Sequence, residues 1–337
     1  MRRTCPCLFL LLPALAACSG SPGPEVVVYT SVDEPFAEPL LRAFREKTGI
    51  EVRPLFDTEA AKSVGLARRI VSERRSPRCD VFWSNEILQT LLLEREGLLE
   101  PHASPEAGEA EGEFRDPGGS FAVLGGRLRV LLVRKEALEG RPEPRGVGDL
   151  GDPRFRGMAA MAKPVAGTTL THVAALGALL GSDGMRGLLE AVARNGTKIV
   201  AGNSIAKDLV VEGEAAFCLT DSDDAAKGMA EDRRLSVVVP DQGEGAPGAV
   251  LIPGTVALVK GAPHREEARK LIDFLLSAEA EELLLRSGAF QVSLRKGGGG
   301  RAAALSPAPI RRAPVDWRSV LSHLAGAEKI AADLFLR

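Results

Sequence analysis

The chain has 337 residues, and its 43 lysines and arginines nearly balance 45 aspartates and glutamates, leaving a formal net charge of −2. With the signs interspersed, that balance argues against a nucleic-acid partner and against a membrane partner held by charge. The length suits one large domain or two ordinary ones, either with a substantial core.

In chain order, Arg2 and Arg3 precede an apolar run over Leu8 to Leu12 and the small-residue stretch Leu15-Ala16-Ala17 before Cys18, the order of a secretory signal. The apolar run is far short of the roughly 20 residues a permanent span needs, so its removal is expected. Leu15 to Cys18 resembles the bacterial lipobox, which implies that residues 1–17 are a cleaved signal and Cys18 the lipidated first residue of the mature protein. Residues 18–24, rich in Ser, Gly and Pro, then read as a tether. Beyond these, only Cys79 and Cys218 remain. Two cysteines in apolar runs make no disulfide framework and read as small buried hydrophobes.

The body opens on a β-branched strand, Glu25 to Thr30. A helix with Phe36, Leu40 and Phe44 on one face follows up to Gly49; Ser31 and Glu34 have capping-box spacing, and Pro39 interrupts the pattern. Next come a strand at Ile50 to Phe56, a helix at Glu59 to Glu73, a strand at Asp80 to Trp83 and a helix at Leu88 to Arg95. Pro101 to Gly119 lacks apolar periodicity and reads as a surface excursion. Further strands are expected at Leu128 to Val133, Met158 to Ala162, Lys198 to Val200, Ala215 to Leu219, Leu235 to Val239, Val250 to Ile252 and Thr255 to Val259. Helices are expected at Thr168 to Leu180, Leu188 to Ala193, Ile205 to Val211 and, as one long element, Arg265 to Arg286. Glycines 297–300 read as a flexible joint, and Trp317 to Leu336 as one or two amphipathic helices. Alternating strands and helices imply α/β architecture with mainly parallel sheets.

Val27-Val28-Tyr29-Thr30-Ser31, Lys47-Thr48-Gly49-Ile50, Cys79-Asp80-Val81-Phe82-Trp83-Ser84-Asn85-Glu86, Asp152-Pro153-Arg154-Phe155-Arg156-Gly157, Gly167-Thr168-Thr169, Pro240-Asp241-Gln242 and Ala262-Pro263-His264 form an ordered series. It resembles the extracellular solute-binding proteins of ABC importers, in the branch of the ferric-ion-binding periplasmic proteins. The resemblance implies a two-lobed periplasmic-binding-protein fold of type II whose chain crosses twice between lobes, near Ala122 to Leu128 and Leu251 to Val256. The expected divisions are 25–123 plus 254–295 for the first lobe, 124–253 for the second, a glycine linker at 296–301 and C-terminal helices at 302–337 packed on the second lobe. The implied partners are a permease and an ATPase, with the membrane reached only through the lipid anchor, and the protein a monomer.

In such sheets the strand ends and the following helix N-termini converge on one edge. The candidate ligand-binding residues there are Ser31, Asp33, Asp57, Asn85, Glu86, Thr168, Thr169, Asn203, Asp221, Ser222, Asp223 and Asp224. Ser31, Asp57, Thr168 and Asn203 read equally well as helix caps, whereas Glu86 is harder to explain as one. Three carboxylates within Asp221 to Asp224 repel one another unless a cation, donors or a helix N-terminus compensate.

The ferric-binding relatives carry adjacent tyrosines where this chain has Asp221 and Ser222, and a histidine where it has Asp33; Tyr29, within a strand, is the only tyrosine. An oxygen-only metal set of Asp33, Glu86, Asp221 and Asp223 remains, suited to ferric iron or a divalent ion as cargo, with no resident cofactor. The alternatives are an organic solute such as a phosphonate or polyamine, or a sensor lipoprotein of the same fold. No nucleophile elbow, phosphate loop or zinc-spaced set is present, so enzyme activity is not expected.

Overall fold

A computed structural model describes residues 23–57, 63–286, 292–296 and 309–336. The signal at 1–17, Cys18, most of the tether, the expected start of the second helix and most of the glycine linker lie outside them. Among the described residues no helix is long and apolar enough to cross a membrane.

The first strands and helices alternate as their patterns require: β1 (Glu25–Thr30), α1 (Glu34–Thr48), β2 (Glu51–Phe56), α2 (Val64–Ser72), β3 (Val81–Ser84) and α3 (Leu88–Arg95). The short β4 (Leu99–Glu100) follows, and residues 101–121 contain only two 3-10 turns. Then come β5 (Ala122–Arg134), β6 (Ala159–Ala162), α4 (Gly167–Arg194), β7 (Lys198–Val200), α5 (Asn203–Val211), β8 (Phe217–Asp221), α6 (Ser222–Glu231), β9 (Leu235–Val238) and β10 (Leu251–Val259). Helices α7 (Arg265–Leu275), α8 (Ala278–Arg286) and α9 (Trp317–Phe335) complete the described chain.

The expected capping box at Ser31 does not form. Asp33 is the residue before α1, and Ser31 instead donates to Asn85 Oδ1 at 3.0 Å and accepts from Asn85 N at 3.0 Å. Pro39 lies inside α1 without ending it. The long helix expected over 265–286 is two, because Ser277 donates to the Phe274 carbonyl and accepts from Ala280 N, closing α7 and opening α8. Conversely, the two helices expected within 168–193 are joined as α4, interrupted at Gly181, whose φ of 75° is non-helical. The two late strands are one, β10, carrying a register shift between Pro253 and Thr255.

The strands run in the order β2-β1-β3-β10-β5-β8-β6-β7, with β4 beside β10 and β9 beside β5. β1, β2 and β3 are parallel, as are β6, β7 and β8. Between the two groups β5 and β10 pair antiparallel, Leu251 opposite Leu128 and Val256 opposite Ala122. The far end of β10 then pairs with β3 and the far end of β5 with β8, so these two strands alone stitch the groups together. One apolar core lies under α1, α7 and α8, with Phe44, Trp83 and Leu271 at its centre. A second runs continuously from Leu88 and Leu91 of α3 through Leu128 and Val130 of β5 to Val173 of α4 and Val320 of α9. α9 thus packs on α4 and also meets α3, where Arg318 donates to Glu94 at 2.6 and 3.1 Å and to Asp116 at 2.6 Å.

Candidate functional site

The carboxyl ends of six strands open onto one cavity of about 410 Å³. Residues after β1 (Ser31 to Pro35), β2 (Asp57), β3 (Asn85), β6 (Lys163 to Thr169), β7 (Ala201 to Ser204) and at the end of β8 (Asp221, Asp224) line it, with Arg127 of β5 in the wall. α1, α4, α5 and α6 all begin there, and each N-terminus leaves backbone N–H groups without helical partners. Gly167, at a φ of 58°, allows the sharp turn that aims α4 at the cavity.

Asp221 is the hub of the wall. Arg129 Nη1 donates to its Oδ1 at 2.6 Å, while Thr168 Oγ1 at 2.6 Å and Asn203 Nδ2 at 3.1 Å donate to its Oδ2. Arg127 Nη1 lies 3.3 Å from both Asp221 Oδ2 and Asp223 Oδ2, and its Nη2 donates to the Asn85 carbonyl at 3.1 Å. The strand therefore ties the β3 end to the β8 end through one guanidinium. Burial alone would raise the Asp221 pKa, but the charges of Arg129 and Arg127 outweigh it and bring it down to about 2. Asp224 goes the other way: burial, then the charges of Asp223 and Asp221, push it up to about 8 against the weaker pull of Lys227 and Arg127. Asp223 is also raised by burial, against the pull of Arg127. Burial and the neighbouring Arg129 depress His172 to about 3, so its imidazole is neutral. Across the mouth, Lys227 Nζ of α6 stands 4.4 Å from the centre of the Phe36 ring of α1, a cation–π contact.

Of the expected site residues, Ser31, Asp33, Asp57, Asn85, Thr168, Thr169, Asn203, Asp221 and Asp224 line the cavity. Glu86, Ser222 and Asp223 do not. Glu86 turns out to be a cap after all: it accepts from Leu88 N at 2.7 Å and Gln89 N at 3.2 Å, and from Thr171 Oγ1 at 2.8 Å. Its carboxylate is thereby occupied at the start of α3. Asp57 accepts from Leu66 N at 3.3 Å and still borders the cavity. Asp223 stands behind Arg127, and Ser222 is the buried first residue of α6. The four-residue metal set is not assembled as expected; the carboxylates that do gather are Asp221, Asp223 and Asp224, each offering an oxygen within 4.8 Å of the others.

The residues missed from sequence are cationic: Arg127, Arg129, Lys163 and Lys227. The first two carried a readable signal. Arg127 and Arg129 alternate on one face of an otherwise apolar strand, and a buried arginine pair demands carboxylates opposite.

The profile of the bacterial extracellular solute-binding protein family matches residues 76–314. The chain belongs to that family. Its members are transport binding proteins, and this chain is a binding protein rather than an enzyme. It is 27% identical to the major ferric iron-binding protein of Neisseria meningitidis over 283 residues, 82% of each chain. It is also 25% identical to a putative 2-aminoethylphosphonate-binding periplasmic protein of Salmonella typhi over 242 residues, 71% of this chain and 68% of that one. Iron-bound HitA from Pseudomonas aeruginosa shares the fold, with a TM-score of 0.81 at 22% identity, covering 93% of this chain and 99% of that one. The two-group α/β sheet is thus the periplasmic-binding-protein fold.

Proposed function

We propose that this protein is the capture subunit of an ABC importer, a monomer anchored through Cys18, and that its cargo is a small solute carrying both signs of charge. The carrying observation is that Arg127 and Asp224 line the same cavity: a fixed cation, backed by four helix N-termini, and a carboxyl group that sheds its proton only near pH 8. An oxyanion group suits the first, and an ammonium group suits the second by displacing its proton, so binding below pH 8 releases a proton. A purely anionic solute would meet Asp33, Asp57, Asp221 and Asp224, and a purely cationic one Arg127, Lys163 and Lys227. The relative named for 2-aminoethylphosphonate points to the same chemistry.

Residues 25–123 with 254–295 form one lobe and 124–253 the other in this reading. They turn about the β5–β10 pair, where Gly125 has a φ of 64° and β10 shifts register. Calorimetry against 2-aminoethylphosphonate, methylphosphonate and ethanolamine tests the cargo. The zwitterion is expected to bind in the micromolar range or tighter, with each single-charge analogue weaker by about 100-fold, roughly the loss of one buried charge pairing. Equal binding of methylphosphonate would refute the role of Asp224.

A second reading, ferric iron held at the carboxylates, rests on the Asp221, Asp223 and Asp224 oxygens and on the iron-binding relatives. Against it, Asp221 already takes donors from Arg129, Thr168 and Asn203. Any iron complex would lack strong phenolate colour, because Tyr29 is buried in β1 and donates to Glu73. An intense red ferric complex would overturn that expectation.

A further inference from the structure

The sheet edge opposite the cavity carries a set of cations without partners. Arg74, Arg75 and Arg78, between α2 and β3, and Lys260, just past β10, are all exposed. None has an ion-pair partner among the described residues, whereas the acids around them do: Glu25 with Arg53, Glu73 with Arg69 and Glu100 with Arg265. Glu96, two residues before Leu98 of the notch, has no ion-pair partner among the described residues either. Arg74, Arg78 and Lys260 border a single shallow notch, so they form one patch rather than three scattered charges.

Topology fixes where this patch lies. β1 and β3 run parallel, and β10 returns antiparallel to β3, so the start of β1, the start of β3 and the end of β10 share one edge. Asp80 accepts from Val27 N at 2.7 Å, and Val259 N donates to the Asp80 carbonyl at 2.9 Å, pinning the three together. The chain from Cys18 joins the fold at that same edge. Six residues separate Cys18 from Glu25, and fully extended they reach about 20 Å, at roughly 3.5 Å each. An acyl group on Cys18 therefore holds this edge, and not the cavity edge, close to a bilayer.

We infer that Arg74, Arg75, Arg78 and Lys260 rest on the anionic headgroups of the membrane that holds the anchor, leaving the cavity open to the solution side. This rests on the lipid anchor proposed above. The mature protein, purified from membranes, is reconstituted into vesicles of phosphatidylcholine alone or mixed with phosphatidylglycerol, and lysine acylation is followed by peptide mass spectrometry. Lys135, at the other end of β5, is the internal control. Each basic residue at an anionic surface contributes about fivefold. Lys260 is therefore expected to react at least tenfold more slowly on the mixed vesicles, as an order of magnitude for several such residues, with Lys135 unchanged. The protection is expected to vanish in high salt and in an Arg74→Ser, Arg78→Ser double variant. Equal Lys260 rates on the two vesicle types, with Cys18 acylated in the same sample, overturn the surface contact while leaving the anchor intact. An unmodified Cys18 peptide removes the anchor and the inference together.

Discussion

Arg129→Met takes away the donor at 2.6 Å from Asp221 and leaves a carboxylate buried among groups that cannot replace a full charge. Breaking a buried pair on one side typically costs about 3–5 kcal/mol, and urea unfolding is expected to register a loss of that size. A change no larger than that of a surface substitution would show that Asp221 does not depend on Arg129. Asp224 gives a second expectation with a definite sign. The folded protein keeps its proton up to about pH 8, while the unfolded chain releases it near the ordinary 3.8, so stability falls as pH rises through that interval. Asp241, pushed up by burial to about 6, adds to the same trend. Asp224→Asn is expected to flatten the decline in melting temperature between pH 5 and 8; an unchanged slope would contradict the assigned titration. At this scale the sequence was legible wherever a side chain marks a strand end, as at Ser31, Asn85, Thr168 and Asp221. It was less so where the partner decides the role. Glu86 became a cap because α3 begins two residues later and Thr171 arrives from α4, a tertiary event that no local spacing encodes.

Two glycines of α4 separate propensity from packing. Gly187 is exposed with open space around it, so Gly187→Ala is expected to stabilise by about 0.5–1 kcal/mol through lost chain entropy. Gly177 is buried where an added Cβ would lie 3.0 Å from His323 Cβ of α9, so Gly177→Ala requires α9 to give by a few tenths of an ångström. A loss of about 1–3 kcal/mol is expected despite the better helix former. Paired thermal melts of the two variants check both signs, and a stabilising Gly177→Ala would mean that α9 is loosely held. The strand series was readable from β-branched runs, and helix boundaries were readable where glycine ended them, as at Gly49. The division of α7 from α8 was not: the run Leu283-Leu284-Leu285 supplies an apolar residue to continue the α7 face whatever the phase, and only the bonds of Ser277 reveal the break.

The whole molecule turns on β5 and β10, because every other strand pairing stays within one parallel group or its flank. If the groups close as lobes over cargo, small-angle scattering is expected to show a smaller radius of gyration on adding the bound solute. An identical radius with saturating ligand would place the hinge elsewhere or deny it. The α/β alternation was evident from the sequence pattern and the two crossing strands only through the family resemblance, whereas the bridging course of α9 was not, since its apolar face looks the same whichever partner covers it. Its placement reaches beyond architecture. Trp317, Val320 and Leu324 complete a core whose other walls, α3 and α4, are made more than a hundred residues earlier. The nascent chain therefore cannot finish that core until α9 has left the ribosome. In order of synthesis α9 is a late keystone: α3 and α4 each wait with an apolar face uncovered until it arrives.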